Sequence, residues 1–193
     1  MSTYIVLTKG VDPRRAAPEA GSLAKVLGYI GFGKIRTTPD GRDAVFEAID
    51  DNRRKIEAEI ASELKYQARA GFVAIVLNFG EFAAMAVEHP LADQGEAGNL
   101  YVTVLSHDPA REDVAMLLET MNGVDLHEVA GRAVYSLYGH GYESSMRSNE
   151  FIEKVMKVPA VLRTWDELQT LSVLAAGPSS SSSRWIGDGA AGA

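Results

Sequence analysis

The chain of 193 residues contains no cysteine and only four histidines. Without cysteine, disulfide bonds, thiolate zinc sites, iron–sulfur clusters and cysteine nucleophiles are excluded. The histidines lie far apart in the chain, so a histidine-rich metal site would need distant segments to converge. The chain also lacks a P-loop, a G-x-G-x-x-G loop and a G-x-S-x-G motif. We therefore expect neither a metal nor a cofactor.

Basic charge is scarce as well, since 19 lysines and arginines face 26 acidic residues and give a net charge of −7. Proteins that neutralise phosphates need an excess of basic charge, so we expect no nucleic-acid partner and no membrane partner. Local basic spots remain at residues 14–15 and 53–55. No apolar run approaches membrane length, and no basic-then-apolar segment precedes the first strand. These absences predict a cytoplasmic protein.

The chain does have the material for a hydrophobic core, because 46% of its residues are apolar. Alternating or continuous apolar runs predict strands at residues 3–9, 34–38, 42–48, 72–79, 100–106, 124–130 and 132–138. Apolar residues at helical spacing predict helices around residues 23–30, 52–70, 82–87, 109–121, 151–158 and 164–175. Within the helices, Val87 is expected to face inward and Asp108 to cap the fourth helix.

The order of the predicted elements indicates the fold class. The first half reads strand, helix, strand, strand, helix, strand, which is the split βαβ arrangement of a ferredoxin-like half. The second half repeats strand, helix, strand, strand, helix. We predict an α+β protein with mainly antiparallel sheets covered by helices, with halves at residues 1–90 and 91–176. Residues 177–193 are rich in serine, glycine and alanine and are expected to form a flexible tail.

Three segments carry a resemblance to a known family. They are residues 31–37 (G-F-G-K-I-R-T), residues 89–91 (H-P-L) and residues 148–165 (S-N-E-F-I-E-K-V-M-K-V-P-A-V-L-R-T-W). From about Thr3 to Ala175 the chain resembles a divergent member of the bacterial family of domain of unknown function 1697 (DUF1697). The resemblance implies two intertwined ferredoxin-like (βαββαβ) halves, and it implies no particular reaction.

The departures from the family's pattern lie at polar loop positions. Typical members carry R-G-I-N-V-G-G after the first strand, whereas this chain has K-G-V-D-P-R-R at residues 9–15. Further replacements lie at residues 41–43, 145–147 and 164–167. A glycine-rich loop lets backbone approach an anion, and two arginines and a proline replace it here. We interpret the chain as a specialised member whose ligand differs from that of the general family.

Candidate catalytic residues surround His140, which is flanked by Gly139 and Gly141. Glycine neighbours leave room for a substrate, and a free imidazole titrates near neutrality and can act as general acid or base. Tyr138 and Tyr142 lie on either side and are candidates for orienting a substrate or donating a proton. The alternative is an exposed turn histidine with tyrosines that only cover the sheet edge.

Candidate substrate-binding residues are Arg163 and Trp165, together with Lys9, Arg14 and Ser145. An arginine fork can bind a carboxylate while an indole forms a wall beside it. The alternative for this pair is structural, with Arg163 capping helix carbonyls and Trp165 filling the join between the halves. Lys9 and Arg14 belong to the loop after the first strand, and the alternative there is a solvated surface loop.

These residues leave two function classes open. The first is a cofactor-free enzyme or binder of a small organic molecule, anionic in character and held between the halves. Cyclisation, isomerisation or hydrolysis by acid–base chemistry, in specialised metabolism, would suit such a site. The second is a non-catalytic interaction or regulatory protein that forms a homodimer through its sheets.

Overall fold

The computed structural model describes residues 1–10, 21–68, 71–120, 123–146 and 148–177. This part of the chain forms eight strands and six helices. The strands are β1 (Ser2–Gly10), β2 (Gly33–Thr37), β3 (Asp43–Ala48), β4 (Phe72–Asn78), β5 (Leu100–Leu105), β6 (Asp125–Ala130), β7 (Ala133–Tyr138) and β8 (Ala160–Thr164). The helices are α1 (Ser22–Ile30), α2 (Arg53–Ala68), α3 (Phe79–Met85), α4 (Arg111–Glu119), α5 (Asn149–Met156) and α6 (Trp165–Ala176).

The strands form two four-stranded sheets with the same strand order. The first sheet runs β2-β3-β1-β4 and the second runs β6-β7-β5-β8. Every neighbouring pair is antiparallel, with Val6 opposite Ala44 and Val76 in the first sheet. In the second sheet Val102 lies opposite Tyr135 and Arg163. This order is that of a ferredoxin-like unit, so the predicted α+β fold with two such halves is confirmed.

Strand alternation explains how each sheet buries both faces. On β1, Ile5 and Leu7 point into a core between the sheets, whereas Tyr4 and Val6 point toward the helices on the outer side. The inner core takes apolar side chains from both halves. It includes Val45, Ile75, Leu77, Val102, Val104, Val161 and Leu168. Each such side chain contributes about 1.5–3 kcal/mol by leaving water, so this shared core holds the halves together.

The helices complete the layers on both sides. The stripes of α1 and α2 cover the outer face of the first sheet through Leu23, Leu27, Ile56 and Ile60. The outer face of the second sheet meets α4 and α5 in the same way. The remaining helices, α3 and α6, pack into the inner core. In the described part of the chain, the sheet faces are thus used within one molecule, and dimerisation through them remains a prediction.

Strand β8 is the main element that the sequence reasoning did not assign. Its five residues follow Pro159 directly and end where α6 begins, so they gave no periodic signal of their own. Pairing with β5, where Val104 lies opposite Val161, makes them a strand and supplies the sixth element of the second half. Two smaller expectations were wrong: Val87 is 78% exposed, and Ala110, not Asp108, precedes α4 at the cap position.

No described helix has both the length and the apolar character needed to cross a membrane. The predicted tail lies outside the described residues apart from Gly177. We propose that the first half ends near residue 90, because β1 to β4 form one sheet and β5 to β8 form the other.

Candidate functional site

The predicted catalytic residues gather at the end of β7, but they differ sharply in exposure. Tyr138 is fully buried, Tyr142 is half-buried and His140 is exposed. The Gly141 N–H donates to the Tyr138 carbonyl at 2.9 Å, so His140 lies at the tip of a tight turn. The chain therefore brings the two tyrosines together, with ring centres 5.2 Å apart, and leaves the histidine in solvent.

The tyrosines belong to a packed aromatic cluster. The ring of Tyr101 lies 5.4 Å from that of Tyr138 and 5.3 Å from that of Tyr142. Burial raises the pKa of Tyr138 well above its ordinary value, and it also raises the pKa of Tyr142. The Tyr142 hydroxyl oxygen accepts the Asn149 N–H at 3.1 Å. These two hydroxyls are held in their protonated form, which suits hydrogen bonding better than proton abstraction.

Arg163 lies in the interior between the sheets and 4% of its side chain is exposed. Its Nε and Nη2 donate to the two carboxylate oxygens of Asp43 at 2.7 and 2.5 Å. Nη2 also donates to the Thr8 carbonyl at 2.8 Å, and Nη1 to the Leu162 carbonyl at 2.7 Å. All four bonds are internal, and the three to Asp43 and Thr8 join β8 to β3 and β1. The interpretation of Arg163 as a ligand-binding residue does not fit this geometry, because its fork is occupied by Asp43.

The other predicted binding residues are spread over the molecule. Lys9 forms an ion pair with Glu153 at 2.7 Å, which links the first half to the second. Trp165 is half-buried and its ring meets that of His89 edge-on at 5.3 Å. The Ser145 hydroxyl donates to Asp125 at 2.8 Å. Arg14 lies outside the described residues. These residues do not converge on one pocket, and their role as a ligand site remains a prediction.

His89 is a buried histidine whose two ring nitrogens both form hydrogen bonds to the backbone. Its Nδ1 accepts the Leu91 N–H at 3.3 Å, so its Nε2 carries the proton and donates to the Tyr101 carbonyl at 3.1 Å. Burial lowers the pKa of His89, which keeps the ring neutral. The H-P-L segment at residues 89–91 therefore fixes the connection between α3 and β5.

A cleft of about 400 Å³ opens between the two halves, at the other end of β7 from His140. The start of α2, helix α3, the segment after β5 and the β6–β7 turn all contribute to its walls. Its polar wall carries Arg53, Arg54, Glu81, His107, Asp108 and Arg132. Its apolar wall includes Leu77, Met85 and Tyr135. Sequence reasoning noted the basic spot at residues 53–55 but gave no sign of Arg132.

Arg132 is the central residue of this cleft, because its side chain is only 7% exposed and incompletely bonded. Its Nε donates to the Leu105 carbonyl at 2.8 Å, and this bond fixes the orientation of the guanidinium. Within the described structure, Nη1 and Nη2 are buried and have no hydrogen-bond partner. The Glu81 carboxylate lies 3.6 Å from Nη1, beyond hydrogen-bonding distance. Both Nη atoms are therefore without a hydrogen-bond acceptor among the described residues.

The electrostatics of the cleft set Arg132 apart from an ordinary surface arginine. Burial, together with the neighbouring Arg53 cation, lowers the pKa of Arg132. Arg53 itself donates to the Val76 carbonyl at 3.1 Å. Unsatisfied buried donors are costly, so an oxyanion that accepted from both Nη atoms would remove that cost. No three His, Asp or Glu side chains among the described residues are grouped so that they could hold a metal ion.

The fold and the cleft define the class: an α+β protein of two ferredoxin-like halves with an arginine-containing cleft between them. The chain belongs to the family described as "Protein of unknown function (DUF1697)", which it matches over residues 1–135. The predicted family is thus confirmed, although the match ends before residues 148–165, the most specific part of the resemblance.

A solved structure with a similar fold is that of the conserved bacterial protein SP0830 from Streptococcus pneumoniae. It is 14% identical, covers 91% of this chain and 99% of its own length, and superposes with a TM-score of 0.64. At this identity the likeness shows the fold alone. No curated protein matches the chain.

Proposed function

We propose that this protein binds a small organic molecule with an anionic group in the cleft between its halves. The observation that carries the proposal is the buried Arg132, whose Nη1 and Nη2 lack hydrogen-bond acceptors within the described structure while its Nε is fixed. A planar guanidinium fork matches the two oxygens of a carboxylate or phosphate. The adjacent apolar wall, with Leu77 and Met85, suits the organic body of such a ligand.

Ligand binding in the cleft is better supported than catalysis by proton transfer. The residues predicted for acid–base chemistry, His140, Tyr138 and Tyr142, lie at the opposite end of β7 from Arg132. In the cleft, the Tyr135 hydroxyl donates to the Met85 carbonyl at 2.9 Å, and this bond holds its ring in the apolar wall. We therefore favour a binding protein over a cyclase, isomerase or hydrolase.

The test is to purify the protein from its own cell extract under mild conditions and to identify bound small molecules by mass spectrometry. Wild type should retain an anionic compound, and Arg132→Met should lose it. Arg111→Met is the matched control, because Arg111 is an exposed arginine on α4 outside the cleft. Retention of the same compound by both variants would refute the assignment of Arg132, and so would its loss from both.

A further inference from the structure

The cleft places a carboxylate beside the arginine fork that needs an acceptor. Glu81 Oε1 lies 3.6 Å from Arg132 Nη1, too far for a hydrogen bond. Its second oxygen accepts the Asn78 N–H at 3.0 Å, and the Glu81 N–H donates to Asn78 Oδ1 at 2.8 Å. This reciprocal cap at the start of α3 fixes Glu81, so it does not complete the fork.

A ligand carboxylate that bound to the fork would therefore lie next to the Glu81 carboxylate. Both groups would be within a few ångströms of the same nitrogen, and like charges at that distance repel each other. If the carboxylate were the only charged group of the ligand, nothing else on the ligand would offset its repulsion by Glu81. An ammonium group on the ligand, close to its carboxylate, would face Glu81 and turn the repulsion into attraction.

The lining of the cleft carries charges of both signs. Three arginines (Arg53, Arg54 and Arg132) and two carboxylates (Glu81 and Asp108) contribute to it. A ligand that presents a cationic group beside its anionic group is complementary to such a lining. The remaining wall, with Leu77, Met85 and Tyr135, is suited to an apolar side chain.

We infer that the ligand is a zwitterion of the α-amino-acid class with an apolar side chain. Its carboxylate accepts from Arg132 Nη1 and Nη2, and its ammonium group donates to Glu81. This inference rests on the proposed function and deepens it, because it names the ligand class and assigns Glu81 as the residue that determines specificity.

Two matched series of probes test it by calorimetry: L-phenylalanine, 3-phenylpropanoate and 2-phenylethylamine, and L-leucine, 4-methylpentanoate and isopentylamine. In at least one series, wild type should bind the amino acid about tenfold or more tightly than the acid or the amine. Glu81→Gln should abolish the advantage of the amino acid over the acid, since glutamine keeps the helix cap without the charge. Arg132→Met should abolish binding of both acids. Glu88→Gln, at an exposed position, is the control and should change nothing.

The outcomes distinguish the proposed function, binding of an organic anion at Arg132, from the inferred ligand class, an α-amino acid. Equal binding of amino acid and simple acid by wild type, with loss of both in Arg132→Met, would overturn the zwitterion and leave the proposed function standing. An amino-acid preference that survives in Glu81→Gln would also overturn it. If no probe bound to wild type up to about 10 mM, the amino-acid ligand would be overturned, and the extract experiment would still decide the proposed function. If the probes bound and their binding were insensitive to Arg132→Met, both the amino-acid ligand and the proposed function would be overturned.

Discussion

Replacing Arg163 by methionine should destabilise the protein severely. The substitution removes two hydrogen bonds to Asp43 and two to the Thr8 and Leu162 carbonyls. Asp43 is itself only 3% exposed, and after the substitution it would still accept the Thr8 N–H at 3.3 Å. Removing one partner of a buried ion pair costs about 3–5 kcal/mol. For a chain of this length, that loss corresponds to a fall in Tm of roughly 10 °C.

Urea unfolding followed by circular dichroism measures this effect. The double variant Asp43→Leu/Arg163→Met should be more stable than Arg163→Met by about 3–5 kcal/mol, because it removes the orphaned charge as well. Lys55→Met is the control, since Lys55 forms an exposed pair with Asp50 at 2.7 Å. That variant should change the free energy of unfolding by less than about 1 kcal/mol. An Arg163→Met effect as small as that of the control would refute the reasoning.

Three further substitutions test the other end of β7. Burial raises the pKa of Tyr138, so wild-type stability should fall by up to about 1.4 kcal/mol per pH unit above pH 10, and Tyr138→Phe should reduce this alkaline loss in urea titrations. A methyl group at Gly139 would lie 2.6 Å from the Val124 carbonyl oxygen, so Gly139→Ala should cost about 1–3 kcal/mol, while Gly98→Ala, with open space around it, should stay within about 0.5 kcal/mol. His140→Ala should unfold like wild type because the side chain is exposed; unchanged turnover of any substrate found would remove His140 from the mechanism.

The strands and helices with a regular apolar pattern could be predicted from the sequence. Residues 72–77 form a continuous apolar run, and the structure buries Ala74 to Leu77 on both faces of the first sheet. Gly31 ends α1 in the left-handed conformation, with φ of 95°, as its position after an apolar stripe indicated. Strand β8 was missed because five residues between a proline and a helix carry too little pattern, and only pairing with β5 defines them.

The candidate site could be predicted from the sequence much less well than the fold, because contacts between residues distant in the chain form it. The partner of Arg163, Asp43, lies 120 positions earlier in the chain, so the sequence gave no sign that the arginine is already paired. The flanking glycines made His140 a candidate catalytic residue, but the turn directs its side chain into solvent. Arg132, by contrast, follows a glycine in a hairpin, where arginines are ordinarily exposed. Its buried side chain donates to the Leu105 carbonyl and lies beside Glu81 of α3, and both of these residues are distant from it in the sequence.

The two interior arginines show how the same residue type takes opposite roles between the sheets. Arg163 and Arg132 are both largely buried, at 4% and 7% exposure. Arg163 meets a carboxylate and two carbonyls, so its charge is compensated and it ties the halves together. Arg132 donates to a single carbonyl and lies 3.6 Å from the Glu81 carboxylate, so its Nη1 and Nη2 have no hydrogen-bond acceptor in the described structure. Buried donors without acceptors are costly, and this difference between the two arginines is the reason we propose Arg132 as the ligand-binding residue.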